Sequence, residues 1–325
     1  MAFSCGRLSS GSISWLKLEP ESKVFLVILG PTGVGKSSTG VRLARSLGGE
    51  IISCDSMQVY RGFDIGTDKP PLEVRKEIRH HLLDVVDSTR QFTAADFAEG
   101  AREAIIRIRE RGKVPLVVGG TGLYIQALVD GLFPGQARDD RLRRELDLRA
   151  REEGLDRLYE ELEKADPAYA LKTGRRDRVR IIRALEVYAS TGKPISTHFL
   201  GTASPVKDYR VVRIGLTLDR QALYRRIEAR VERMFAQGLV EETRRLLEQG
   251  VDENSPPFRA LGYRHVLRLL GNELTLEEAK EATKIDTRHY AKRQMTWFRK
   301  MKNVHWFSPD DYPPLEAFAK SQLNN

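Results

Sequence analysis

The sequence predicts an α/β fold: a parallel β-sheet with helices on both faces and an α-helical subdomain inserted into it. Three observations carry the prediction. Short apolar runs alternate with helical patterns between residues 24 and 118, residues 139–190 are charged, helical and strand-free, and Y-R-V-V-R-I-G-L-T-L at 209–218 returns to strand character. Strands that alternate with helices pair in parallel through crossovers, and a long helical stretch inside that alternation reads as an insertion.

Each element follows in order. V-F-L-V-I-L at Val24–Leu29 is an unbroken apolar run, expected of a strand buried on both faces. A glycine-rich turn leads into a helix over 39–47, and 50–54 is the next strand. After a polar link, 94–111 reads as a helix and 114–118 as a third strand. The character changes after G-L-F-P-G at 131–135, where acids and bases mix at helical spacing around Leu142, Leu146, Leu155, Leu158 and Leu162. Beyond the strand at 209–218, helices are predicted at 220–236, 239–249, 259–270 and 275–302, then a short strand at Val304–Phe307. The predicted organisation is a disordered tail at 1–22, the first part of the core at 23–137, a helical insertion at 138–205, a return to the core at 206–308 and a tail at 309–325.

Composition bounds the classes of function. A net charge of +9 with the positives bunched suggests a polyanionic partner. Two cysteines, Cys5 and Cys54, far apart and without CxxC spacing, give neither a disulfide framework nor a metal site, and a reducing cytoplasm fits. No apolar run approaches the roughly 20 residues of a membrane helix. The first 22 residues hold six serines and few charges, which reads as a polar tail rather than as an Arg-rich transit peptide.

The most specific signal is L-G-P-T-G-V-G-K-S-S at 29–38, between a strand and a helix. Gly30, Gly33 and Gly35 allow a sharp turn whose N–H groups point inward, with Pro31, Thr32 and Val34 completing the loop. Lys36 adds positive charge, Ser37 offers a hydroxyl to Mg²⁺, and the helix presents its positive end to the same anion. The chain is therefore expected to bind a di- or triphosphate on a P-loop NTPase-like sheet. Nucleotide hydrolases and kinases hold Mg²⁺ partly through an acid after a second strand, yet 114–121 ends V-V-G-G-T. Asp55 and Asp84 are the acids that could compensate, and Asp55 and Thr121 fall on the rim where ligands of open α/β sheets bind.

Further motifs occur in order: D-S-M-Q-V-Y (55–60), G-T-D-K-P (66–70), H-H-L-L-D (80–84), G-G-T-G-L-Y (119–124), R-I-I-R-A-L-E-V (180–187), T-G-K-P (191–194), R-A-L-G-Y-R (259–264) and A-K-R-Q-M-T-W-F-R (291–299). With the phosphate loop they resemble the tRNA isopentenyltransferase (IPP transferase) family over about residues 23–308. The resemblance implies transfer of a dimethylallyl group from dimethylallyl diphosphate to the exocyclic N6 of the adenosine 3′ of the anticodon, with the tRNA anticodon arm as partner, a monomer and no membrane. An allylic diphosphate ionises when its leaving group is stabilised, so the absent acid ceases to be an anomaly.

The resemblance also assigns roles. Asp55 matches the base that takes the proton of the amine, although a carboxylate at that rim could merely help hold Mg²⁺. Thr121 matches a residue near the reacting centre, or else caps the helix that starts at Gly122. Arg226 and Arg230, four apart on one helical face, match the pattern that grips pyrophosphate, Arg230 foremost; Arg226 could instead pair with Glu228 or Glu232. Ser56, Met57 and Gln58 are placed to read a flipped base. Arg143, Arg180, Arg183, Arg259, Gly262, Tyr263 and Arg264 match positions that touch tRNA, with pairing to Glu186 the alternative for Arg183.

The basic helix near the C-terminus is the other expected nucleic-acid surface. Lys284, Arg288 and Lys292 recur every fourth residue, and Lys292, Arg293, Gln294, Thr296, Trp297 and Arg299 interleave charge with an aromatic ring. A solvated helix face is the plain alternative. Three rival functions stay open on the residues: a small-molecule kinase, a transferase that prenylates free adenine nucleotides, and an RNA-binding module without activity.

Overall fold

The computed structural model describes residues 23–132, 139–199 and 201–323; the expected tail at 1–22 lies outside the described residues. The chain forms two compact units, one from the chain up to Ile125 together with the chain from Asp208 onward, the other from Gln126–Lys207.

The first unit begins β1 (Val24–Leu29), α1 (Lys36–Leu47), β2 (Gly49–Cys54), α2 (Leu72–Glu77), β3 (His80–His81), α3 (Ala94–Glu110), β4 (Val114–Gly119) and α4 (Gly122–Val129), whose end runs into the second unit. The second unit is helical: α5 (Asp140–Glu152), α6 (Leu155–Ala165), α7 (Pro167–Ala170), α8 (Arg178–Thr191) and α9 (Ile195–Phe199). The chain then returns to the first unit with β5 (Arg210–Leu216), α10 (Arg220–Ala236), α11 (Leu239–Glu248), a 3-10 turn at Pro256–Arg259, α12 (Leu261–Leu270), α13 (Leu276–Phe298), β6 (Val304–Phe307) and α14 (Tyr312–Leu323).

The sheet has six parallel strands in the order β3-β2-β4-β1-β5-β6. All six residues of β1 are buried. Val24, Leu26 and Ile28 pack with Leu43 and Leu47 of α1 and Leu315 and Ala319 of α14, while the alternate Phe25, Val27 and Leu29 are equally buried, so both faces are covered. A separate cluster holds α10 to α13 against the segment after β2 through Phe63, Phe258, Tyr263 and Val266. The helical unit has its own core, in which Leu146, Leu158 and Leu162 meet Ile181, Ile182 and Leu185.

Residues 309–325, expected as a tail, instead carry α14, and Arg42 of α1 stacks over its Tyr312 at 3.5 Å. Two prolines in its first turn mask the helix in sequence, yet proline is tolerated there because those N–H groups have no helical partner. Leu315, Ala319 and Leu323 recur at helical spacing and could have announced it.

Candidate functional site

The phosphate loop joins β1 to α1 at the carboxyl edge of the sheet, beside the ends of β2 and β4. Gly33 and Gly35 have φ of 80° and 104°, the left-handed region that glycine tolerates. A Cβ on Gly33 would also lie 2.8 Å from Ile227 Cγ1, so the loop packs directly on α10. Gly30, Pro31, Thr32, Gly33, Val34 and Gly35 thus form one turn into Lys36 and Ser37, the first residues of α1, whose N–H groups have no partner a turn earlier.

A cavity of about 410 Å³ opens over this loop, lined by Thr32, Gly33, Gly35, Lys36, Ser37, Asp55, Asp68, Arg226, Arg230 and Arg233 among others. Lys36 Nζ donates to the Pro31 carbonyl at 2.8 Å. Burial, helped by the Arg230 charge and opposed by Asp55, lowers its pKa to about 8. Arg230 Nη1 donates to the Thr32 hydroxyl. Its buried Nε forms an ion pair with Asp68 Oδ2 at 3.1 Å without an aligned hydrogen bond. Arg226 donates to the Val34 carbonyl at 3.2 Å and pairs with Asp310 at 2.5 Å, rather than with Glu228 or Glu232. Such a concentration of cations and N–H groups suits a diphosphate.

A second cavity of about 350 Å³ adjoins it and shares Thr32, Asp55, Arg230 and Tyr290 with the first. Its wall adds Ser56, Met57, Met234, Arg259, Gly262 and Arg293. Asp55, at the end of β2, therefore stands where the two meet. Its Oδ1 accepts the Met57 N–H at 2.9 Å, which fixes the carboxylate, and Oδ2 has no hydrogen bond among the described residues.

Magnesium fits this donor set only in company with a ligand. Among the described residues no three His, Cys, Asp or Glu side chains cluster to hold a metal. Ser37 and Asp55 do line one cavity, and Mg²⁺ commonly takes one or two protein oxygens together with phosphate oxygens and water. Asp84 is not available to it, being paired with Lys69 at 2.5 Å and Arg75 at 3.0 Å.

Several residues expected to act directly are engaged elsewhere. Thr121 is in the wall of neither cavity. Its hydroxyl accepts the Ser56 N–H at 3.2 Å, so the side chain braces the turn that carries Asp55, while its carbonyl accepts the Tyr124 and Ile125 N–H groups at the start of α4. Gln58 lines the first cavity; its Oε1 accepts from Ser53 at 2.9 Å and its Nε2 donates to the carbonyls of Thr67 and Asp68, so both N–H groups are used while the oxygen keeps a lone pair. Gln294 is buried, with Oε1 accepting the Thr32 N–H at 2.7 Å and Nε2 donating to the Gly120 carbonyl at 2.8 Å, a brace rather than a nucleic-acid contact. Tyr263 is fully buried and donates to Glu242, beneath the surface where tRNA contact was expected; Gly262 beside it is buried but borders the second cavity.

The basic residues divide likewise. Lys284 and Arg288 pair with Glu232 and Glu228 of α10, at 2.6 and 3.0 Å, so these members of the expected stripe join two helices. Arg183 pairs with buried Glu186 at 3.0 Å and Arg143 approaches the same carboxylate at 3.9 Å, while Arg180 pairs with Asp177. Arg264 pairs with Asp286. Lys292, Arg293, Thr296 and Arg299 remain exposed, and Trp297 packs on Gly122, where a Cβ would meet its indole at 2.5 Å.

Sequence reasoning missed Asp68, Arg233 and Tyr290 as wall residues. The spacing of Arg233, three beyond Arg230, signalled the shared face, and Asp68 sits inside the G-T-D-K-P motif. Glu242 gave no local signal.

Residues 58–301 match the family described as IPP transferase. The chain is 47% identical over 297 residues to a tRNA dimethylallyltransferase of Geobacter metallireducens, covering 91% of this chain and 95% of that one. It is 46% identical over 305 residues to a tRNA dimethylallyltransferase of Thermomicrobium roseum, covering 93% and 92%. Among solved structures, the tRNA isopentenylpyrophosphate transferase of Bacillus halodurans superposes with a TM-score of 0.68 at 39% identity over 93% of this chain and 97% of that one. A eukaryotic dimethylallyltransferase acting on tRNA gives 0.78 at 32% identity, over 93% and 79%.

Proposed function

The chain belongs to the IPP transferase family, and from that premise we propose how its residues carry the reaction. It is a transferase that places a dimethylallyl group on an adenosine of tRNA. In our reading the donor is dimethylallyl diphosphate and the acceptor is the exocyclic N6 of the adenosine 3′ of the anticodon. The observation that carries this reading is the pair of adjoining cavities with Asp55 at their junction: one cavity suits the diphosphate, the other admits a base.

The bond from the allylic carbon to the bridging oxygen breaks, and the charge that develops on the leaving diphosphate falls on the loop N–H groups, Lys36 and Arg230, with Arg226 and Arg233 at its edge. N6 attacks the allylic carbon, and the proton it sheds passes to Asp55 Oδ2, the oxygen left free by the Met57 contact. Thr121 and Gln294 act as positioning residues, holding the Asp55 turn and the phosphate loop. Mg²⁺ held by Ser37 together with diphosphate oxygens would neutralise further charge on the leaving group. The exposed Lys292, Arg293, Thr296 and Arg299, with Arg259 at the second cavity, supply tRNA contacts. A monomer in the cytoplasm belongs to the same reading; among the described residues no helix is long and apolar enough to cross a membrane.

The test is to incubate the protein with labelled dimethylallyl diphosphate and either tRNA or AMP. Label is expected in tRNA and not in AMP. Label in AMP alone would shift the reading to a nucleotide prenyltransferase, and ATP-dependent phosphorylation of a small molecule without label transfer would shift it to a kinase.

A further inference from the structure

A second carboxylate stands inside the phosphate cavity, where the proposed reaction has no use for it. Asp68 Oδ2 is 3.1 Å from Arg230 Nε, and its Oδ1 is 3.9 Å from Arg233 Nη2. A carboxylate so placed, though its side chain is 39% exposed, repels an incoming diphosphate at the same arginines.

The segment that carries Asp68 is fastened from below. Glu242, 2% exposed, accepts the N–H groups of Asp64, Ile65 and Gly66 at 3.0–3.2 Å and the Tyr263 hydroxyl. Gln58 Nε2 holds the carbonyls of Thr67 and Asp68 at 3.1 and 3.3 Å. Lys69 Nζ, whose side chain is fully buried, donates to the Tyr60 carbonyl at 2.6 Å and pairs with Asp64 at 2.9 Å. Asp68 has φ 54°, a conformation that aspartate and asparagine enter more readily than most side chains. With its backbone pinned, the carboxylate can leave the arginines only by rotating its own side chain.

We propose that Asp68 sets the affinity of the cradle: it is an internal counter-anion that holds Arg230 and Arg233 while no diphosphate is bound and yields them when one enters. The inference rests on the phosphate-cradle reading above. Binding then exchanges arginine–carboxylate contacts for arginine–phosphate contacts instead of creating them from solvated groups. The same competition acts after transfer, because the carboxylate reclaims the arginines and keeps the diphosphate product from lingering.

Titration of inorganic diphosphate, with Mg²⁺ present, into the full chain by calorimetry tests this. Asp68→Asn keeps shape and tolerates the backbone conformation, and it should bind diphosphate about tenfold more tightly than the wild type. Asp68→Gly, which accepts the same φ, should tighten binding similarly. In an Arg230→Ala background the gain from Asp68→Asn should shrink, as expected of coupled groups. Unchanged or weaker binding in both Asp68 variants overturns the inference, and weaker binding with a lost Mg²⁺ response would make Asp68 a metal ligand instead. If the wild type itself fails to bind diphosphate, the cradle reading falls and the inference with it; binding without tightening sinks the inference alone.

Discussion

Gln294 offers a sharp perturbation of the site because its two hydrogen bonds tie three distant segments together. Its Oε1 accepts from Thr32 in the phosphate loop and its Nε2 donates to Gly120 after β4. Gln294→Leu removes both bonds while largely preserving volume. Each is worth about 1 kcal/mol net, and leaving a backbone N–H and a carbonyl short of a partner adds a comparable penalty, so a loss of about 2–4 kcal/mol is expected. The Thr32 end faces the cavity and recovers part of its bonding from water, which argues for the lower half of that range. Urea unfolding measures the loss. Diphosphate affinity, measured by calorimetry on the folded variant, should fall several-fold because the loop is no longer pinned. Gln294→Glu retains an acceptor for Thr32 but sets a carboxylate against the Gly120 carbonyl, so it should bind diphosphate more weakly still. A stability change under about 1 kcal/mol together with unaltered diphosphate affinity would refute the bracing role.

Three further outcomes follow from the same geometry. Lys36, lowered to about 8 by burial and Arg230, must be protonated to meet a diphosphate, so affinity should weaken as pH rises through about 8, and Lys36→Ala should remove that dependence. For stability the sign is opposite: between about 8 and the ordinary value of 10.5 the unfolded chain binds more protons, so the cost of burying the charged lysine disappears as pH rises through that window. Replacing Lys292 and Arg293 with Ala should flatten the dependence of log tRNA affinity on log salt by about 1–2 units while dimethylallyl diphosphate binding holds, and an unchanged slope in the folded double variant would make that face merely solvated. Tyr263→Phe should cost about 1–2 kcal/mol in denaturation, because buried Glu242 loses a donor, and leave tRNA affinity intact; a weakened tRNA complex at full stability would restore the residue to the interface.

What the sequence disclosed was what is local. Val24–Leu29, the glycine turn and the start of α1 form one continuous stretch, so periodicity and spacing sufficed to place the phosphate loop. Asp55 could be placed on the rim because a strand end in a parallel sheet points to one edge. Gln294 reaches Thr32 across 262 residues, and no pattern around position 294 says whether its amide faces solvent or a distant turn. Helical spacing put Lys284 and Arg288 on one face, correctly, but spacing does not reveal that the face meets acids of α10. The burial of Tyr263 was hidden for the same reason, since Phe63 and Glu242, which it packs on and donates to, come from distant segments. Asp68 went unread because one acid in a polar motif gains meaning only from the arginines 162 and 165 positions later in the numbering.

In the proposed reaction Asp55 takes the proton of the amine at the junction of the two cavities, and Asp55→Asn isolates that step. The substitution keeps size and the contact to the Met57 N–H while removing the basic oxygen. Single-turnover transfer of labelled dimethylallyl from its diphosphate to tRNA should slow by about 10²-fold or more, with tRNA affinity within a few-fold of the wild type. Transfer at a near-normal rate, or a loss explained wholly by weakened tRNA binding, would contradict the assignment.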